Sequence, residues 1–155
     1  MEHHYELKLE WTGNLGSGTS EYTAYSRDHI ISSVNKPDLF CSSDPAFRGD
    51  KTKYNPEHLL LASLSACHML WYLHFCADNH IIVSKYIDQP KGILSIDKNS
   101  IGKFTEVQLF PTVWINDISH IELAIELHKK AHEYCFIANS CNFPIRHSPN
   151  ILLDE

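Results

Sequence analysis

Asn55-Pro56-Glu57-His58-Leu59-Leu60-Leu61-Ala62-Ser63-Leu64-Ser65-Ala66-Cys67-His68-Met69-Leu70-Trp71-Tyr72-Leu73-His74-Phe75-Cys76-Ala77-Asp78 is the stretch on which the fold turns. Asn55 can cap a helix, Pro56 fits a first turn where its missing N–H costs nothing, and Glu57 suits the positive end of the helix dipole. From Leu59 onward apolar residues fall on every side of the helical wheel, which places the helix in the middle of a domain rather than on its surface. The pattern predicts a helix from Pro56 to Asp78 or Asn79. Leu59 to Ala77 is nineteen residues without a formal charge, nearly a bilayer thickness at about 1.5 Å per residue. Ser63, Ser65, His68 and His74 interrupt it and no Lys or Arg flanks its C-terminal end, so it reads as a core helix with no membrane partner.

Upstream, Asn35 to Tyr54 has the Pro, Gly and polar content of a loop. Tyr5 to Trp11 alternates apolar and charged residues as a half-buried strand does, Thr12 to Ser20 reads as a turn, and Glu21 to Ser33 is β-prone again. Together they predict an antiparallel meander. Downstream, Ile81 to Ile87, Gly92 to Asp97 and Phe104 to Ile115 read as three strands. Ser119-His120-Ile121-Glu122 has the capping-box pattern, opening a second helix through Lys129 and Lys130 toward Glu133 with Ile121, Ala124, Ile125 and His128 on its apolar face. A last strand is expected from Ile145 to Leu153. Strands, a long helix, strands and a helix make an α+β class, antiparallel strands around a long central helix, in a single domain over residues 1–155.

The chain of 155 residues is 43% hydrophobic and 21% charged, enough for one ordinary core and little more. Thirteen Lys and Arg against nineteen Asp and Glu give a formal charge of −6, which argues against nucleic acid as a general partner. Met1 to Glu6 lacks the basic and apolar segments of a signal peptide, so a cytoplasmic location is expected. Five cysteines, Cys41, Cys67, Cys76, Cys135 and Cys141, then point to free or reactive thiols rather than a disulfide framework.

Cys67 falls mid-helix, and Cys135 follows the end of the second helix. Asn55-Pro56-Glu57, with Cys67 ten residues after the Glu and a small residue before it, resembles the helix signature of the OsmC/Ohr family of thiol-dependent hydroperoxide reductases. Lys129-Lys130-Ala131-His132-Glu133-Tyr134-Cys135 is similar to that family's second mark, a Cys shortly after a basic, His-containing helix end. The strand and helix order agrees over nearly the whole chain. Three places differ from the family pattern: Phe136 stands where many members have Pro, no Arg lies between Met1 and Ser26 where Ohr-type members carry one, and Cys67-His68-Met69-Leu70-Trp71-Tyr72 is bulkier than usual.

The resemblance implies a peroxidase acting on a hydroperoxide substrate, with Cys67 as attacking thiol and Cys135 as resolving thiol, recycled by a thiol or dithiol reductant in a homodimer, with no cofactor or metal. A thiolate attacks peroxide and leaves as a sulfenic acid, which a second thiol must capture before over-oxidation. An ordinary thiol is only a few per cent ionised at neutral pH, so a cation beside Cys67 is needed. Arg48 is the expected cation, held by Glu57, with Arg27, His68 and His74 as other sources. His68 is expected to face away from Cys67, about 100° around the helix.

Other functions stay open at this point. Eleven histidines, with His128 and His132 four apart, could bind metal, although no zinc-protease pattern or closely spaced Cys pair accompanies them. A Cys–His hydrolase lacks a nucleophile elbow, and a non-catalytic module could bind small molecules near Trp71 and Tyr72. Cys41, Cys76 and Cys141 read as structural, with Cys141 and Cys41 as possible further redox partners.

Overall fold

Asn55 starts the long helix as its sequence dictates: its Oδ1 accepts the His58 backbone N–H at 2.8 Å. Helix α1 then runs Pro56–Asp78. The computed structural model describes residues 1–154 and separates into two compact units, residues 1–59 and residues 60 onward, with α1 beginning in the first.

The first unit is a three-stranded antiparallel sheet of β1 (Lys8–Trp11), β2 (His29–Ser32) and β3 (Leu39–Cys41), in that order. Lys8 faces Ser32 and His29 faces Cys41 across the ladders. The strand expected from Tyr5 pairs only from Lys8, and it is not half-buried: Leu9 is 60% and Trp11 41% exposed. Besides its sheet this unit contains a 3-10 turn at Pro45–Phe47 and the first turn of α1. Polar ties hold it, notably Lys53 Nζ to Asp28 Oδ2 at 2.7 Å and Trp11 Nε1–H to the Ser26 carbonyl at 2.9 Å.

The second unit carries β4 (Val83–Ile87), β5 (Lys91–Ile96), β6 (Gly102–Leu109), β7 (Thr112–Ile115), α2 (Ile121–Tyr134), α3 (Phe136–Asn139), β8 (Ile145–His147) and β9 (Asn150–Leu153). They form two three-stranded sheets, β4-β7-β9 and β5-β6-β8. The strand expected over Phe104 to Ile115 and the one over Ile145 to Leu153 are each cut in two and shared between these sheets. Both breaks carry a proline, Pro111 and Pro149, which has no N–H for a ladder. The chains turn the corner together, with Ser148 N–H on the Leu109 carbonyl and Asn150 N–H on the Pro111 carbonyl. The pairs β6–β8 and β7–β9 are parallel, so the sheets are mixed rather than purely antiparallel.

By length and mean hydropathy α1 would reach across a bilayer; here it supplies Leu64 to one apolar cluster, with Val107 and Leu109, and Tyr72, Phe75 and Cys76 to another, with Val113, Ile115, Ala124, Leu127 and Ala131. The expected capping box does not form. Asp117 caps a 3-10 turn at Ile118–His120 instead, and α2 follows with His120 making no side-chain cap. Ile125 is 43% exposed, and the buried face of α2 is Ala124, Leu127, His128 and Ala131.

Candidate active site

Helical spacing puts Ser63, Ala66, Cys67, Leu70, Trp71 and His74 along one side of α1, and Phe136 and Ile137 from the start of α3 complete an apolar groove of about 580 Å³. Trp71 is its largest wall. The indole centroid lies 5.3 Å from Tyr134 and 5.5 Å from Phe136, distances at which aromatic rings attract edge to face. Phe136, found where the family pattern has Pro, therefore shapes the groove.

Cys67 is half-buried and lines this groove. Cys135 is fully buried where α2 ends and the chain turns to extended backbone, φ −68° and ψ 105°, before α3. Its sulfur accepts the Ala138 backbone N–H at 3.4 Å and lies beside the Cys67 thiol. Burial holds the Cys135 thiol well above the usual range; the Ala138 N–H acts against this and the Cys67 thiol adds to it. The structure thus brings together the two cysteines that the sequence pairs only through resemblance. Cys76 is buried in the core, with its pKa pushed up to about 11 by burial. Burial also raises Cys141, which donates to the Ile137 carbonyl, and Cys41 in the first unit.

Arg48 caps the 3-10 turn in the left-handed region at φ 66° and is exposed. The loop is tightly packed at Gly49, where a Cβ would stand 1.7 Å from the Ser43 carbonyl oxygen. Among the described residues Arg48 makes no side-chain hydrogen bond or ion pair, and Glu57 Oε2 is buried without a partner, so the expected Arg48–Glu57 pair is not formed. Arg27 is committed elsewhere. Its guanidinium lies between the Tyr22 and Tyr25 rings, 4.3 and 4.1 Å from their centroids, and donates to both carbonyls.

Sequence reasoning missed a buried histidine cluster. His68, 1% exposed, and His128, fully buried, join through His68 Nε2 and His128 Nδ1 at 2.9 Å. His147 on β8 donates its Nε2–H to the His128 carbonyl at 3.1 Å, and His132 packs edge-on to His147 at 5.7 Å. Tyr72 stacks on His128 at 3.8 Å, and Tyr86 stands beyond it at 6.5 Å. Burial, reinforced by the neighbouring imidazoles, pushes His68 down to about 3 and His128 to about 2. The available signal was phase: His68 continues the Leu64, Tyr72 and Phe75 face of α1. Among the described residues no group of three ligating side chains is placed to hold a metal.

A fold of this order with a thiol pair of this placement defines a class, and the sequence profile of OsmC-like proteins matches residues 49–149. The chain belongs to the OsmC-like family. An OsmC-like protein of unknown function from Vibrio cholerae is 27% identical, with a TM-score of 0.85 over 96% of this chain and 99% of that one. An organic hydroperoxide resistance protein from Elizabethkingia anophelis is 20% identical, with a TM-score of 0.68 over 99% of this chain and 100% of that one. One from Legionella pneumophila is 18% identical, with a TM-score of 0.67 over 97% and 99%. None of the curated proteins compared matches the chain.

Proposed function

We propose that this protein is a thiol-dependent peroxidase that reduces organic hydroperoxides through Cys67 and Cys135. The observation that carries it is the Cys67 thiol on the wall of an apolar, aromatic-lined groove with the buried Cys135 thiol beside it. The Cys67 thiolate attacks the outer peroxide oxygen, the O–O bond breaks, and the alkoxide leaves and takes a proton to become an alcohol. Cys67 is then a sulfenic acid. Cys135 sulfur attacks it, an S–S bond forms, and hydroxide leaves with the Cys135 proton as water. A thiol or dithiol returns both cysteines to the reduced state.

Arg48 is the proposed cation and Glu57 its proposed anchor. Both are uncommitted while Arg27 is not, and catalytic contacts are often loose before substrate binds. A homodimer in a reducing, cytoplasmic setting completes the proposal. Its supports are the apolar residues left exposed on the first unit, among them Leu9, Trp11 and Phe40, and five unpaired cysteines.

One equivalent of cumene hydroperoxide, followed by mass-spectrometric mapping, tests the assignment. Oxidation first at Cys67, then a Cys67–Cys135 disulfide, is the expected result. First oxidation at Cys41 or Cys141 would overturn it.

A further inference from the structure

Among the described residues, one side-chain hydrogen bond joins the two helices that lead to the thiols, and it is the His68–His128 bond. On α1 it is made one residue from Cys67. On α2 it is made seven residues before Cys135, two turns, so His128 and Cys135 issue from nearly the same face. The rings lie with planes 9° apart and centroids 5.3 Å apart. The His128 backbone carbonyl separately accepts the Nε2–H of His147 from β8.

Packing alone does not call for this pair. Among the described residues His68 Nδ1 and His128 Nε2 are buried without partners, so filling the same space with apolar side chains would avoid the desolvation cost of both atoms. What a hydrogen bond adds over apolar contact is direction. It sets a distance and a rotation between two helices that apolar surfaces would let slide. Disulfide formation has the same need, since two cysteines bond only within a narrow range of separation and orientation. The attack on peroxide does not share it, because that step involves Cys67 alone.

We propose that the His68–His128 hydrogen bond is a positioning clasp that holds α1 and α2 at the rotation in which Cys67 and Cys135 can bond, and that it governs the resolving step rather than the attack on peroxide. The assignment to a step rests on the peroxidase reading. The effect on thiol reach does not, and the test separates them. His128→Leu keeps bulk and removes the bond. His128→Asn keeps the bond, because its amide lies where Nδ1 does. Disulfide closure is driven in two ways: by diamide, which takes two electrons and two protons from the thiol pair without peroxide chemistry, and by one equivalent of cumene hydroperoxide with a sulfenic-acid trap present.

In His128→Leu, closure slows about tenfold with both oxidants, the kinetic equivalent of one lost hydrogen bond. Cys67 accumulates as the trapped sulfenic acid, and first consumption of peroxide stays within about twofold of wild type. His128→Asn restores closure. Closure in His128→Leu at the wild-type rate, or no rescue by Asn, would overturn the clasp. If His128→Leu shows no cooperative melting, the double variant His68→Leu/His128→Leu, which removes both members of the buried pair, is read in the same assay. Wild type that closes with diamide but not with peroxide removes the peroxidase reading and leaves the clasp to be judged by diamide; wild type that closes with neither overturns both.

Discussion

Cys67 and His68 are neighbours on one helix with opposite surroundings. The Cys67 side chain stands in the groove beside Trp71 and Leu70. His68, about 100° further around α1, is 1% exposed among Leu64, Tyr72 and His128. On a helix that is apolar all round, residue type says little about which side meets the core. Leu64 is fully buried and Leu70 is 63% exposed, although both are leucines of the same helix. A groove face that does chemistry and a core face that does packing are distinguished by what lies opposite each of them.

Breaking the groove face has the largest expected effect. Cys67→Ser should lower peroxide turnover by on the order of a thousandfold or more, as loss of a nucleophile does, while its thermal melt stays close to wild type. A variant that loses its fold instead would place Cys67 on the packing side. On the core face the reverse is expected: Leu64→Ala costs about 2–5 kcal/mol in denaturant unfolding, whereas Leu70→Ala stays within about 0.5 kcal/mol. Equal costs would erase the distinction between the faces.

Acid sharpens the contrast. The fold holds His68 down to about 3 and His128 to about 2, from an ordinary 6.5, because burial and the neighbouring imidazoles penalise their charged forms. Below 6.5 the unfolded chain takes up protons that the folded chain refuses. The stabilisation of the neutral forms is therefore complete above that pH and is lost as pH falls toward 3. Between pH 7.5 and pH 5 the loss is about 2 kcal/mol for each imidazole. His68→Leu/His128→Leu should flatten this part of the stability curve in unfolding measured from pH 7.5 to 5; an unchanged slope would assign it to other groups. A smaller cost than these is common to both faces. Asn55→Ala removes the bond to the His58 N–H and should cost about 1 kcal/mol, with the rate of Cys67 oxidation by peroxide unchanged.

Much of this was legible along the chain. The bounds of α1 follow from Asn55-Pro56 and the end of the apolar run, and both match the structure. The α+β class and the second helix were legible because periodicity is local, although the capping box expected at Ser119–Glu122 gives way to an Asp117 cap on a 3-10 turn. The strand breaks at Pro111 and Pro149 carried a local signal, the missing N–H, but their outcome did not. A proline can end a strand; only neighbouring strands decide that the chain continues in a second sheet.

Asn55, Pro56, the period of α1 and the places of Cys67 and Cys135 along it and after α2 were determined by the sequence itself, because helix start and helix phase depend on hydrogen bonds that span a few residues. Tertiary structure decided that Cys135 lies beside Cys67, that Arg27 is held between two tyrosines, and that His68 meets His128 across sixty residues. These depend on which surfaces come to face each other, and burial then sets the chemistry. An imidazole that titrates near neutrality in water is held neutral once water is replaced by Tyr72 and a second imidazole.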